Sequence, residues 1–213
     1  GQYDLPAPHI ENGQLFRDWY AMQLSLQYQP DKDQRALADA LADPIAALLP
    51  VARLHAGTGE DEATWRQLRE LGILAAGVAE ARGGSGLGAA EQILIAELLG
   101  RQLASPAVFA TMATLDASAE SDRSVGDHRI AAAFPVEDSL WIEEAGATML
   151  LASTPEGGAL HAMPDDQRLI DDGSWGARLL GGDIGPALHI LDPREARLLR
   201  LIDAAALSGI AAA

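Results

Sequence analysis

The stretch Trp65-Arg-Gln-Leu-Arg-Glu-Leu-Gly-Ile-Leu74 decides how this chain folds, together with Val78-Ala-Glu80, Gly83-Gly-Ser-Gly-Leu-Gly88 and Ala96-Glu-Leu-Leu-Gly-Arg101 after it. Trp65, Leu68 and Leu71 recur at three-residue spacing, so the segment from about Glu62 to Leu71 reads as an amphipathic helix with Gly72 as its stop. Behind it lie the short apolar run Ile73 to Val78 and a glycine-rich loop ending at Gly88. A further helix follows from Ala89 to Leu103, whose apolar positions Ile93, Ile95, Ala96, Leu98 and Leu99 form a stripe wide enough to require burial on most sides.

Working outward toward the N-terminus, a helix opens at Asp31 or Asp33 and carries Leu37, Leu41, Ile45, Leu48 and Leu49, with Pro44 expected to kink or split it. A fourth helix begins near Pro106 and reaches about Ala117. Four helices over this length make a compact bundle. Residues 1–30 mix Pro6, Pro8 and Gly13 with Tyr3, Phe16, Trp19, Tyr20 and Tyr28, without periodicity, and read as an irregular arm. Two readings of its first part stay open: native sequence, or an expression scar ahead of a native start at Met22.

After a polar stretch the period changes from helix to strand. Arg129 to Phe134, Ser139 to Ile142, Thr148 to Ala152, Ala159 to Met163, Ala177 to Leu180 and Pro186 to Leu191 are short apolar segments separated by turn formers such as Pro155-Glu-Gly-Gly158 and Asp171-Asp-Gly173. Asp192-Pro193-Arg194-Glu195 then opens a last helix, with Asp at the cap, Pro at the first position and Glu reaching back from the third. That helix keeps its apolar stripe to its end, so either the chain is cut short or the helix docks on another subunit. The fold class is therefore α+β: an N-terminal helical bundle, a small antiparallel β domain, and the start of a C-terminal helix. The expected divisions are an arm over 1–30, a helical domain over 31–127, a β domain over 128–191 and the opening helix of a further domain over 192–213.

Charge restricts the partners. With 15 Lys+Arg against 31 Asp+Glu the formal net charge is −16, a field that repels nucleic acid and anionic membrane surfaces. There is no cysteine, which removes disulfides, thiolate metal sites and thiol nucleophiles and fits a reducing, cytoplasmic setting. No apolar run reaches the roughly 18–20 residues of a membrane span.

Residue by residue, no catalytic constellation emerges. His9, His55, His128, His161 and His189 stand far apart, none at i, i+4 from another ligand-type residue, so no metal site is expected. The glycine run invites a phosphate cradle, but it has neither a Lys-Ser/Thr ending nor a dinucleotide fingerprint, and a tight inter-helix connection is the better reading. The carboxylates Glu143-Glu144, Asp165-Asp166 and Asp171-Asp172 are read as solvated charge in turns or strand ends.

The order of helical bundle, β domain and new helix resembles the acyl-CoA dehydrogenases. The residues carrying the resemblance are those quoted at the outset, continued by Ala104-Ser-Pro-Ala-Val-Phe-Ala110, with Ala79 where the family often has proline. The resemblance implies FAD as cofactor and an acyl-CoA thioester as substrate. A carboxylate would remove the α proton while a hydride leaves the β carbon for the flavin, giving the trans-2-enoyl-CoA. It also implies reoxidation by an electron-transfer flavoprotein, and assembly either as a homo-oligomer or with a sister subunit.

Departures from the family pattern fall in the β domain. Where members carry a threonine-glutamate-proline loop this chain has Ala133-Phe-Pro-Val-Glu-Asp138, and the family's Trp-Ile-Thr/Ser strand resembles Trp141-Ile-Glu143, with the intervening strands missing. The resemblance thus places Phe134, Val136, Trp141 and Glu143 at the flavin, and Glu143 in a hydroxyl's position would repel a reduced flavin's charge. In one branch of the family the base lies early in the first C-terminal helix. Here Leu198-Leu-Arg-Leu201 fits that register with Leu199 in the carboxylate's place and Asp203 one turn on, so no base is assigned. Two functions follow: an acyl-CoA dehydrogenase subunit whose catalytic parts are missing from this chain or supplied by a partner, or a non-catalytic subunit assembled with a complete sister chain.

Overall fold

The computed structural model describes residues 29–56, 60–118, 128–136, 139–142, 146–154, 157–164, 169–171, 178–181 and 184–212. Five α-helices and a seven-stranded sheet are formed by them: α1 (Lys32–Leu48), α2 (Glu62–Glu70), α3 (Ala89–Arg101), α4 (Pro106–Ser118), β1 (Ile130–Val136), β2 (Ser139–Ile142), β3 (Met149–Thr154), β4 (Gly157–Ala162), β5 (Leu169–Asp171), β6 (Arg178–Gly181), β7 (Ala187–Ile190) and α5 (Pro193–Ala211). This is the α+β arrangement expected.

Each helix begins where the sequence provides a cap. Asp31 accepts from the amides of Asp33 and Gln34, and Gln34 Oε1 accepts in return from the Asp31 amide, a capping box. The box at Asp192 and Glu195 is equally complete, with Pro193 at the first position. Pro44 does not split α1, which continues through it to Leu48. A proline withholds one intrahelical bond, and here packing outweighs that loss, because Ile45 and Leu49 are fully buried and Leu41 and Leu48 lean on the same core.

Two other expectations are corrected locally. Leu71 is 39% exposed and does not complete the stripe of Trp65 and Leu68. The helix closes first: Gly72 at φ +73° donates to Arg69 O and Ile73 donates to Leu68 O, a Schellman motif that folds Ile73 into the core instead. Helix α3 likewise ends at Arg101, not Leu103, which turns left-handed at φ 52°. The Arg53 guanidinium holds that turn, donating to Gln102 O and Leu103 O while pairing at 2.9 Å with Glu60, whose Oε1 also accepts from the Ser105 amide.

The strand order is β5-β6-β2-β1-β3-β4-β7. All pairs are antiparallel except β1 with β3, which run parallel, so the sheet is mixed where an antiparallel one was expected. The reason is a step past the start of β1: β2 returns beside β1 as a hairpin, and the chain then resumes on β1's other side, so β3 must run in β1's own direction. Strand β5, three residues long, was too short to register as an alternating pattern. Gly157 and Gly158, read as a turn, are the first residues of β4.

The sheet has a core on each face. Ile130, Ala132, Met149, Leu151 and Leu160 join the helices' core, whereas Ala131, Ala133, Ile142, Leu150 and Leu180 form a second cluster. Helix α4 packs on β1, and Thr111 Oγ1 accepts from the Ile130 amide at 3.0 Å. Helix α5 packs along α3 and against α4. Its stripe of Ala196, Leu199, Ile202, Ala205, Ala206 and Gly209 is buried there, so the wide stripes of α3 and α5 cover one another within this chain. The close approach depends on two glycines. A Cβ on Gly100 would stand 2.2 Å from Ala206 O, and one on Gly209 would stand 2.1 Å from Glu97 O.

Candidate active site

The α4, β1, β3 and α5 elements enclose an open, largely apolar cleft of about 350 Å³. Strand alternation supplies one wall, since Ala132 and Phe134 of β1 and Leu151 and Ser153 of β3 are i, i+2 pairs on the face toward the helices. Phe109 and Ala110 of α4 form the floor. Helical spacing supplies the third wall: Leu199, Asp203, Leu207 and Ile210 lie three or four residues apart on α5.

An aromatic pair stands at the sheet end of the cleft. Phe134 and Trp141 are register partners across β1 and β2, with ring centroids 5.8 Å apart and planes tilted by 49°. Phe134 remains 41% exposed. Phe134 and Trp141, expected from sequence, are thus brought together. The Val136 side chain and the whole of Glu143 lie outside the described residues.

Among the described residues, Asp203 is the only ionisable side chain lining the cleft. It is exposed at the mouth, and no hydrogen bond or ion pair to it is found among the described residues. The crowding walls hold its carboxyl above the ordinary carboxylate range by desolvation. Leu199 is buried against the same cleft. Sequence reasoning noted Asp203 only by its position. Its four-residue spacing from Leu199 and Leu207 was the available signal that it faces the same way.

A second cleft of about 280 Å³ lies at the other end of the α4–α5 contact, bordered by Gly77, Gln92, Met112, Asp116 and Arg194. Asp116 is paired with Arg82. The glycine run beside it is no phosphate cradle. The amides of Gly84, Ser85, Gly86 and Leu87 donate to Ala79 O, Ala75 O, Val78 O and Ala76 O, so its donors are consumed in clamping residues 75–79. A Cβ on Gly84 would stand 2.1 Å from Val78 O, which explains the glycine as a packing requirement.

Three of the four described histidines have ordinary partners: His128 Nδ1 meets Thr148 Oγ1, His161 Nδ1 meets Gly185 O, and His189 Nε2 meets Glu195 Oε2, while His55 is exposed. His9 and the carboxylates Glu144, Asp165, Asp166 and Asp172 lie outside the described residues. Among the described residues no group of three His, Asp or Glu converges as a metal site would require. No helix among them is long and apolar enough to cross a membrane.

Comparison with known proteins agrees with this architecture. Residues 31–120 match the model of the "Acyl-CoA dehydrogenase, N-terminal domain" family. Among solved structures, a variant of the "Tcur3481-Tcur3483 steroid ACAD" superposes with a TM-score of 0.59 at 24% identity, over 85% of this chain and 64% of that one. A structure described as the electron transferring flavoprotein of Acidaminococcus fermentans gives 0.56 at 16% identity, over 88% of this chain and 67% of that one. "PigA with FAD and proline" gives 0.52 at 13% identity, with the same coverage. At these identities the likeness is one of fold, and this chain spans about 64% of the steroid enzyme's chain. No curated protein matches the sequence. Residues 31–120 thus match the model of an acyl-CoA dehydrogenase N-terminal domain, and the chain as a whole carries a helical-bundle-and-sheet fold similar to that of the solved steroid ACAD.

Proposed function

We propose that this chain is a subunit of an FAD-dependent acyl-CoA dehydrogenase, oxidising an acyl-CoA thioester to the trans-2-enoyl-CoA, with part of the site supplied from outside residues 1–213. The observation that carries the reading is the apolar cleft with an open aromatic pair at its sheet end, in a fold shared with acyl-CoA dehydrogenases. Such a cleft accepts a hydrocarbon chain and excludes water from it. Phe134 and Trp141 fit one face of a flat tricyclic ring, and they, with Val136 and Glu143, are the residues we assign to the flavin. Bound there, FAD supplies the acceptor for the β hydride. The residues of this chain do the rest: Phe109, Leu151 and Leu199 hold the acyl group and fix its α carbon against the rings.

The same reading treats 31–127 as the helical domain, 128–191 as a reduced β domain and 192–213 as the opening of a C-terminal helical domain, in a cytoplasmic oligomer. One structural likeness carries two component names, Tcur3481 and Tcur3483, and another is described as an electron transferring flavoprotein. They support a sister subunit and an electron-transfer partner, respectively. A second reading is favoured by Leu199: with an aliphatic side chain in the register of the base, this chain serves as a non-catalytic subunit paired with a complete sister.

Visible spectroscopy separates the two. A protein that binds FAD and is bleached by an acyl-CoA supports the dehydrogenase. A protein that binds no flavin alone, and whose Phe134 and Trp141 can be replaced without affecting flavin in a reconstituted pair, supports the structural subunit.

A further inference from the structure

The second cleft, between the C-terminal half of α4, the first turns of α5 and Gly77 and Val78, has an unpaired polar atom on its wall. Gln92 is 4% exposed, and its Nε2 donates to Leu87 O at 3.2 Å. Because only the nitrogen can donate to that carbonyl, the amide's orientation is fixed and Oε1 is left with no donor among the described residues. Gly77 keeps the space against this amide clear: a Cβ there would stand 2.5 Å from Nε2 and 2.8 Å from Oε1. The rim supplies a cation. Arg194 is exposed there with no ion pair among the described residues, whereas the neighbouring carboxylates are engaged, Asp116 by Arg82 and Glu195 by His189 and the Asp192 amide. We propose that this cleft binds a small hydroxy acid, its hydroxyl donating to Gln92 Oε1 and its carboxylate pairing with Arg194.

Each part of the ligand answers a feature of the wall. A buried carbonyl oxygen without a donor keeps the cost of its lost hydration, so a guest that brings an O–H recovers a bond the fold forgoes. An ether or ketone brings a second acceptor and sets oxygen against oxygen, so the site discriminates by donor and not by polarity in general. Val78, Met112, Ala113 and Leu198 give the body of the cleft an apolar lining. Its volume of about 280 Å³ suits a chain of about six carbons with its end groups, since an apolar cavity of about 150 Å³ holds benzene. The carboxylate meets the Arg194 guanidinium and not the helix terminus, because the Arg194 and Glu195 amides are already taken by Asp192. The site shares no lining residue with the cleft that holds Phe134 and Asp203, and its occupancy requires neither flavin nor thioester.

The full chain, labelled with 13C-methyl methionine, is titrated with ω-hydroxyhexanoate and followed by NMR. Met112 is the methionine lining this cleft, and its methyl resonance, assigned through Met112→Leu, reports occupancy. It should shift saturably at millimolar ligand. ω-Methoxyhexanoate should bind at least about tenfold more weakly, and hexanediol about two- to fivefold more weakly. Gln92→Leu should erase the preference for hydroxyl over ether. Arg194→Gln should lower the affinity for the hydroxy acid to that for hexanediol and leave hexanediol binding unchanged. Because Arg194 is exposed, that variant folds even where the core rejects Gln92→Leu, so one arm always reads the site. The assignment is overturned by no shift at Met112, by equal binding of hydroxy acid and ether to the unsubstituted protein, by a folded Gln92→Leu protein that keeps the preference, or by an Arg194→Gln protein that binds the hydroxy acid unchanged.

Discussion

Replacing Gly209 by alanine tests how α5 is held. In solvent, a glycine-to-alanine change inside a helix stabilises by about 1 kcal/mol, because alanine loses less backbone entropy. Here the new methyl would stand 2.1 Å from Glu97 O and 2.9 Å from the Arg101 amide nitrogen, both backbone atoms of α3. Relief to an ordinary contact of about 3.5 Å requires the helices to part by more than 1 Å, and well-packed interiors resist such overpacking by roughly 1–3 kcal/mol or more. The separation also loosens Leu199, Ile202 and Ala206 along the seam. We expect a net loss of about 2 kcal/mol, read as a lower urea midpoint by far-UV circular dichroism, and a comparable loss for Gly100→Ala. Ser208→Ala, on the exposed side of the same helix, should be neutral or slightly stabilising. A Gly209→Ala protein as stable as Ser208→Ala would refute the packing of α5 on α3.

Four further outcomes follow from the geometry. Glu60→Ala removes the only carboxylate that the described residues pair with the Arg53 guanidinium, and the acceptor of the Ser105 amide, and should cost about 3–5 kcal/mol in urea denaturation. Hydrogen bonds from the Glu195 and Arg194 amides hold the Asp192 carboxyl below its usual range, so its contribution to stability is complete above the unfolded pKa and is lost as pH falls through the lower folded value; thermal melts of Asp192→Ala should show a weaker decline in acid. Asp203 is raised by desolvation, so its contribution runs the other way, complete in acid and lost as pH rises through the folded value. Asp203→Asn should therefore melt higher than the unsubstituted protein near neutrality and converge with it in acid. Phe134→Leu removes one ring of the open aromatic pair and should weaken flavin retention by up to about tenfold in equilibrium dialysis, leaving the melting temperature nearly unchanged.

Helix positions were legible in the sequence because caps and apolar spacing agreed, as at Asp31, Asp192 and the Trp65–Leu68 pair. Where local signals misled, tertiary contacts had decided. Pro44 sits within a helix that buried Ile45 and Leu49 hold in place, and Leu103 turns left-handed because Arg53 grips its carbonyl. The parallel β1–β3 pair was illegible for another reason, since strand order is not encoded in the alternation of any one strand. Within the candidate site, resemblance singled out Phe134 and Trp141, whose rings the structure brings into contact. Asp203 could not be singled out, because facing a cleft depends on what α5 packs against, and α5's partner α3 is nearly a hundred residues earlier in the chain.

The bond from the Ile130 amide to Thr111 joins a strand to the helix packed on it. Two jaws of the cleft are thereby machined from one block, while the third is fastened to α3 through paired glycines. A pocket clamped on both sides in this way works as a gauge of fixed bore. If the cleft holds the acyl group of the proposed function, preference among acyl groups should follow their cross-section more closely than their length.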